Sequence, residues 1–141
     1  KFFDVHPDKF CILRDFTRKM RPDWKKFNSS IFRLEVGSQS YIYENFIENP
    51  MMHIKKYHGD QDYIYDQVVQ ANHPFQYYPD KWAESYKWEM RNMANITRIN
   101  GVRNFVEKGQ PHIHKDTSIA VFHGQPNPKD CIDDWVIQNW R

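Results

Sequence analysis

Ser118-Ile119-Ala120-Val121-Phe122-His123-Gly124 is the stretch on which the fold class turns. It is a continuous apolar run, rich in β-branched and aromatic residues and closed by His-Gly, and it predicts a buried strand ending at His123. Phe10-Cys11-Ile12-Leu13, bounded by Asp8 and by Arg14-Asp15, predicts a second buried strand, and Ser30 to Val36, closed by Gly37, a third. Helical spacing fills the interval that follows. Ser38 or Ser40 can cap a helix carrying Tyr43, Phe46 and Ile47, which Asn49-Pro50 stops. Met51, Met52, Ile54, Lys55 and Lys56 suggest a second short helix ending near His58-Gly59. Asp60 is placed to cap a third, in which Tyr63, Ile64, Gln67 and Val68 share a face. Residues 75–78 and 85–88 are short strand candidates. Residues 17–26 and 92–116 lack a period and are expected to be irregular, and Pro126 and Pro128 enforce a loop. Asp133 and Asp134 open a terminal helix with Trp135, Val136 and Trp140. Strands mixed with helices make the chain α/β.

At 141 residues the chain has the length of a single domain, 1–141. Its 16% aromatic content suits a small, ring-rich core and equally a site that stacks on sugars or bases. The net charge of +2, with acids and bases interleaved, argues against nucleic acid as a partner. The one local excess is Arg14, Arg18, Lys19, Arg21, Lys25 and Lys26, expected as a solvated basic face or, second, as a site for an anionic sugar, phosphate or membrane headgroup. Cys11 and Cys131 form no disulfide framework and no CxxC, so both are expected as free thiols in a reducing, cytoplasmic setting. No apolar run reaches the roughly 18–20 residues that span a bilayer, and no signal peptide stands at the start. Asn28-Ser29-Ser30 and Asn95-Ile96-Thr97 match the short glycosylation pattern. The chain begins at Lys1 without methionine and ends at Trp140-Arg141, which suggests a trimmed chain or a piece of a longer one.

Four segments could carry chemistry. Asn28, at a strand start, either caps a turn or meets a ligand. Asp60, Gln61 and Asp62 cluster at a helix N-terminus, where carboxylates are favoured by the macrodipole and where they could also hydrogen-bond sugar hydroxyls. His123 and Gly124 lie directly after a strand, the place where ligands gather in open α/β sheets. The imidazole could bind a divalent metal, and the glycine permits close approach of a phosphate or sugar. His112-Ile113-His114 could turn both rings toward a metal but lacks a clear third ligand, which favours a surface loop. No Walker A loop, GxGxxG, GxSxG or HExxH is present. A zinc-type hydrolase on His112, His114 and His123 would need those rings to converge.

In order, FNSSIFRLE, HGDQDYIYDQV, SYKW, IAVFHGQPNP and DDWVIQNWR resemble the later part of family-8-like glycosyltransferases and their bacterial relatives. The resemblance implies a partial GT-A fold: a mixed sheet flanked by helices, without the N-terminal half that binds the nucleotide. It implies metal-assisted transfer of a sugar from a nucleotide-sugar to a glycan or lipid acceptor, as in polysaccharide biosynthesis. On that reading His123 is a ligand of Mn²⁺ or Mg²⁺, Asp60 and Gln61 contact the donor sugar near its reacting carbon, and Asn28 lines the same pocket. Asp62, Gly124, Arg14 and Asp15 are further substrate contacts. The family's DxD lies upstream of the matching region, and its lysine after His-Gly is replaced here by Gln125, with Lys129 more distant. One metal ligand cannot hold the cation tightly, so the piece alone is expected to be inactive and to bind nucleotide-sugar weakly or not at all. An unpaired sheet edge would favour a homodimer, and peripheral membrane association is a further expectation.

Overall fold

Phe27 sits at the centre of the first half of the chain, fully buried, with its ring edge-on to Phe10, Tyr65, Phe75 and Tyr77 at centroid distances of 5.9, 5.0, 4.8 and 6.0 Å. The computed structural model describes residues 1–92, 96–105 and 111–140. It is a mixed α/β structure that divides into two compact units, Lys1–Asp80 and Lys81–Arg141.

In the first unit β1 (Phe10–Arg14) is the middle of a three-stranded mixed sheet, antiparallel to β2 (Phe27–Arg33) and parallel to β3 (Phe75–Tyr77). β1 is buried along almost its whole length, which explains its unbroken apolar run. Three helices follow β2: α1 (Ser40–Glu48), α2 (Pro50–Lys56) and α3 (Asp60–Gln70). α3 lays Val68 on the sheet cluster of Phe10, Ile12 and Phe27. Asn49-Pro50 both ends α1 and starts α2: the Asn49 carboxamide accepts from Met52 N at 3.1 Å, and proline occupies the first helical position. Neither Ser38 nor Ser40 caps α1. Gln39 holds that place without a side-chain cap bond, and the Ser38 hydroxyl donates to Glu35 O instead.

The second unit pairs β4 (Ala83–Ser85) with β7 (Ile119–Val121) in parallel and joins β5 (Ile96–Ile99) to β6 (Val102–Phe105) as an antiparallel hairpin. α4 (Asp134–Asn139) closes the chain. The core is Tyr86, Met90, Phe105, Cys131 and Val136. The Tyr86 ring stacks on Phe122 at 4.5 Å and meets Phe105 edge-on at 5.4 Å. Residues 85–88 are not a strand beyond Ser85. Residues Tyr86–Met90 form one π-helical turn, in which Ser85 Oγ caps Trp88 N at 3.1 Å and Arg91 N reaches back to Tyr86 O at 2.9 Å. The expected irregular stretch contains the β5–β6 hairpin, turned by Asn100-Gly101 with both φ positive, 51° and 81°. Asn-Gly is the residue pair a two-residue hairpin turn requires. Asn95, of the second sequon, lies outside the described residues.

Cys11 and Cys131 are buried and unpaired, and burial pushes the Cys11 thiol up. Among the described residues no helix is long and apolar enough to cross a membrane.

Glu84 gives the second unit a pH dependence. It is 2% exposed on β4, and accepts from Lys81 Nζ at 2.8 Å, Thr117 Oγ1 at 2.6 Å and His114 N at 3.3 Å. Burial works to raise its pKa, but these donors outweigh it and hold the carboxyl below its ordinary value of 4.5. A carboxyl depressed in the folded state contributes stability above its unfolded pKa and loses it as pH falls through the folded one. The stability lead of the wild type over Glu84→Gln is expected to shrink as urea denaturation is repeated from about pH 6 down to about pH 3. A lead that stays constant over that range would show that Glu84 is not held ionised by its partners.

Candidate functional site

The β1–β2 register builds the first cluster. Cys11 and Ile12 face Arg33 and Phe32, whereas Leu13 and Arg14 face Asn28 and Phe27, so residues 29–31 bulge out of the ladder. The bulge lets the Asn28 side chain turn back on its own strand: its Oδ1 accepts from Ser30 N at 3.1 Å. The Asn28 amide is therefore oriented with Nδ2 outward, 3.5 Å from Gln61 Oε1, at the edge of hydrogen bonding. Gln61 Nε2 donates to Asp15 Oδ2 at 2.9 Å, and Asp15 Oδ1 accepts from Thr17 N at 2.7 Å. A carboxylate can only accept, so both amide orientations are settled by the network rather than chosen. Asn28 and Asp15 are buried, at 5% and 7% exposure. Each amide uses one of its two N–H groups in these bonds.

Asp60 and Asp62 flank this relay on the first turn of α3, where the helix dipole favours carboxylates. Asp60 is one position inside the helix, with Gly59 as the cap. Its Oδ2 accepts from Ser29 Oγ at 2.6 Å. Asp62 pairs with Lys26 Nζ at 2.7 Å, and that hydrogen bond raises the lysine pKa. Arg14 pairs with Asp80, which also holds Arg18 at 3.3 Å. Arg14, Asp15, Asn28, Asp60, Gln61 and Asp62 thus belong to one unit, and Asp15, Asn28 and Gln61 form one chain of contacts. The basic run is not a solvated face throughout. Arg18 is 7% exposed, Arg14 and Lys26 are ion-paired, and Arg21 lies over the Trp24 ring at 4.7 Å.

Beside the polar cluster, α1, α2, α3 and the outer part of β2 line a half-open cavity of about 630 Å³. Its walls are largely aromatic and aliphatic, and Asp60 lies on its lining. The sequence signal for it is the ring content of 41–63, which helical spacing alone assigns to a core.

In the second unit His123 follows β7. Its Nε2 is 2.7 Å from Ser85 Oγ, and Trp88 meets the ring edge-on at 5.0 Å. The Trp88 indole Nε1 is buried without a hydrogen-bond partner among the described residues. Gly124 has a φ of +64°, and a Cβ there would come within 3.2 Å of Lys87 Nζ. Lys87 Nζ donates to Gln125 O at 3.1 Å. Burial, and then the Arg103 guanidinium, lower the Lys87 pKa. Lys87 therefore stands beside the His-Gly turn, contributed by the π turn and not by the residues after Gly124, so reading forward from the motif misses it.

This donor set does not make a cation site by itself. Lys87 reaches the His123–Gln125 turn, and among the described residues no three His, Cys, Asp or Glu side chains could share a metal. The same finding removes the grouping of His112, His114 and His123. His112 is exposed, and His114 Nδ1 accepts from Asp116 N at 3.2 Å, as in a surface loop. Compared with protein-family models, curated proteins and solved structures, the chain matches none.

Proposed function

We propose that this chain supplies donor-binding residues of a glycosyltransferase with a GT-A-like fold, moving a sugar from a nucleotide-sugar to a glycan or lipid acceptor. One observation supports the reading most strongly. Asp15, Asn28, Asp60 and Gln61, which the resemblance names as site residues on separate segments, lie in one unit, where Gln61 is hydrogen-bonded to both Asp15 and Asn28 and Asp60 accepts from Ser29. Asp60 and the side-chain amides of Asn28 and Gln61 offer the acceptor and donors that sugar hydroxyls need. The Mn²⁺ or Mg²⁺ that the resemblance implies would need ligands beyond His123, so no step runs through it. When bound, such an ion neutralises charge on the departing nucleotide.

A non-catalytic carbohydrate- or partner-binding module on the same scaffold is the alternative, favoured by the single metal-type ligand at His123. Titration of the 141-residue protein with a UDP-sugar and Mg²⁺, followed by amide NMR shifts, tests the reading. Millimolar binding is expected, with perturbed amides at Asn28, Asp60 and Gln61. Silence at those amides overturns the donor-site assignment, and micromolar affinity overturns the expectation that the site is incomplete.

A further inference from the structure

We infer that the acceptor is a neutral glycolipid whose hydrocarbon chain fills the cavity of the first unit while its hydroxyl-bearing head stands at Asp60. This inference rests on the transferase reading for the word acceptor, but not for the binding itself. In the transfer, the head-group hydroxyl oxygen bonds to the donor's anomeric carbon and the carbon–oxygen bond to the nucleoside diphosphate breaks. The hydroxyl proton ends on the released diphosphate.

The size and chemistry of the cavity select this occupant. Its volume of about 630 Å³ lies in the range that encloses a small ligand. Phe10, Phe32, Leu34, Ile42, Phe46 and Ile64 supply hydrocarbon walls. The lining is largely apolar, so a bare sugar would find few partners for its hydroxyls there, whereas an alkyl chain loses no hydrogen bond. Charge selects the head. Among the described residues Asp60 is the one carboxylate on the lining, which also holds His53 and His58 but no lysine or arginine. A phosphate-headed lipid would set like charges together, and a hydroxyl would donate to the Asp60 carboxylate. Asp60 belongs both to the cavity lining and to the polar cluster, through Ser29 at 2.6 Å, so a tail in the cavity brings its head to the residues already assigned to the sugar. Two lining residues, Tyr43 and Ile54, are 68% and 60% exposed, and Met51 and Met52 are exposed on the same helix as Ile54. Apolar groups left in water in this way fit a surface that takes its ligand from a lipid interface.

Calorimetric titration of the protein with alkyl glucosides from methyl to octyl, below micelle-forming concentrations and without nucleotide or metal, is the test. Once the chain is long enough to enter the cavity, each added methylene is expected to tighten binding by up to about fourfold. Ile54→Asp and Tyr43→Glu, at exposed positions where the fold tolerates charge, should abolish the chain-length dependence with an unchanged circular-dichroism spectrum. Octyl phosphate should bind at least about tenfold more weakly than octyl glucoside at low salt. Affinity that ignores chain length, or persists in Ile54→Asp and Tyr43→Glu, overturns the inference. So does octyl phosphate binding as tightly as the glucoside, or a self-associating protein that Ile54→Asp makes monomeric and that binds no glucoside. Chain-length dependence in a protein whose donor-site amides stay silent toward the UDP-sugar upholds the tail site and removes the transferase reading alone.

Discussion

Asp133→Ala is expected to lower the stability of the second unit by about 3–5 kcal/mol, the cost of removing one partner from a buried ion pair. Asp133 is fully buried, and its two oxygens serve three donors from different parts of the unit. Oδ2 accepts from the Tyr86 hydroxyl at 2.5 Å and from Arg91 NH1 at 3.1 Å, and Oδ1 caps α4 through Trp135 N at 3.0 Å. Alanine leaves a guanidinium that is only 12% exposed without this carboxylate. It also removes the acceptor from the hydroxyl at the centre of the core and strips the N-cap from a short helix. Burial, and then the bond to Asp133, push the Tyr86 pKa up, as expected for a phenol held neutral as a donor. Tyr86→Phe removes only one of the three contacts and should cost about 1 kcal/mol. Asp133→Asn, which keeps a neutral acceptor for the cap, should fall between the two. Small domains are stable by only about 5–15 kcal/mol, so the alanine variant should show loss of near-ultraviolet dichroism at low urea. A midpoint within about 1 kcal/mol of wild type would mean that the carboxylate is dispensable.

These contacts also mark where sequence reading succeeds and where it stops. β1, β3, β7 and the three helices of the first unit are legible because apolar runs and helical spacing are local signals. β2 is harder. Its ladder starts at Phe27 rather than Ser30, since residues 29–31 bulge and the residues before them resume the pairing. Period-2 reasoning cannot see a bulge of this kind, in which the Asn28 side chain turns back on Ser30. The π turn after Ser85 is equally hidden, because it depends on a cap and on a core ring, Tyr86, that must be placed inward. The Asn100-Gly101 turn is readable from the dipeptide alone. Among site residues, Asn28, Asp60 and Gln61 stand out as motif positions, but their mutual orientation is a tertiary fact. Asp80, which neutralises Arg14 and Arg18, and Lys87, which stands at the His-Gly turn, carry no motif of their own.

On the proposed transferase reading, Asp60→Asn is expected to reduce the rate of sugar transfer by about 100- to 1,000-fold, the usual loss when one electrostatic contact to the reacting centre is removed. The substitution is nearly isosteric and keeps an oxygen for the Ser29 hydroxyl, which now donates at 2.6 Å. Asp60 is exposed on the first turn of α3, so losing its charge there costs only the helix-dipole contribution, about 0.3–1 kcal/mol. Activity and stability should therefore separate. Gln61→Ala should not separate them, because Gln61 ties α3 to β2 at Asn28 and to Asp15 after β1. Its loss leaves two buried polar side chains short of a partner, at about 1–3 kcal/mol. Kinetics resolve which substrate Asp60 serves. If it contacts only the donor sugar, kcat falls and the acceptor KM is unchanged. If it also receives the hydroxyl of a tail-anchored acceptor, the acceptor KM rises as well, and rises more for octyl than for methyl glucoside. Turnover within about threefold of wild type would place Asp60 outside the reacting centre and leave it as an ordinary helix-terminal carboxylate.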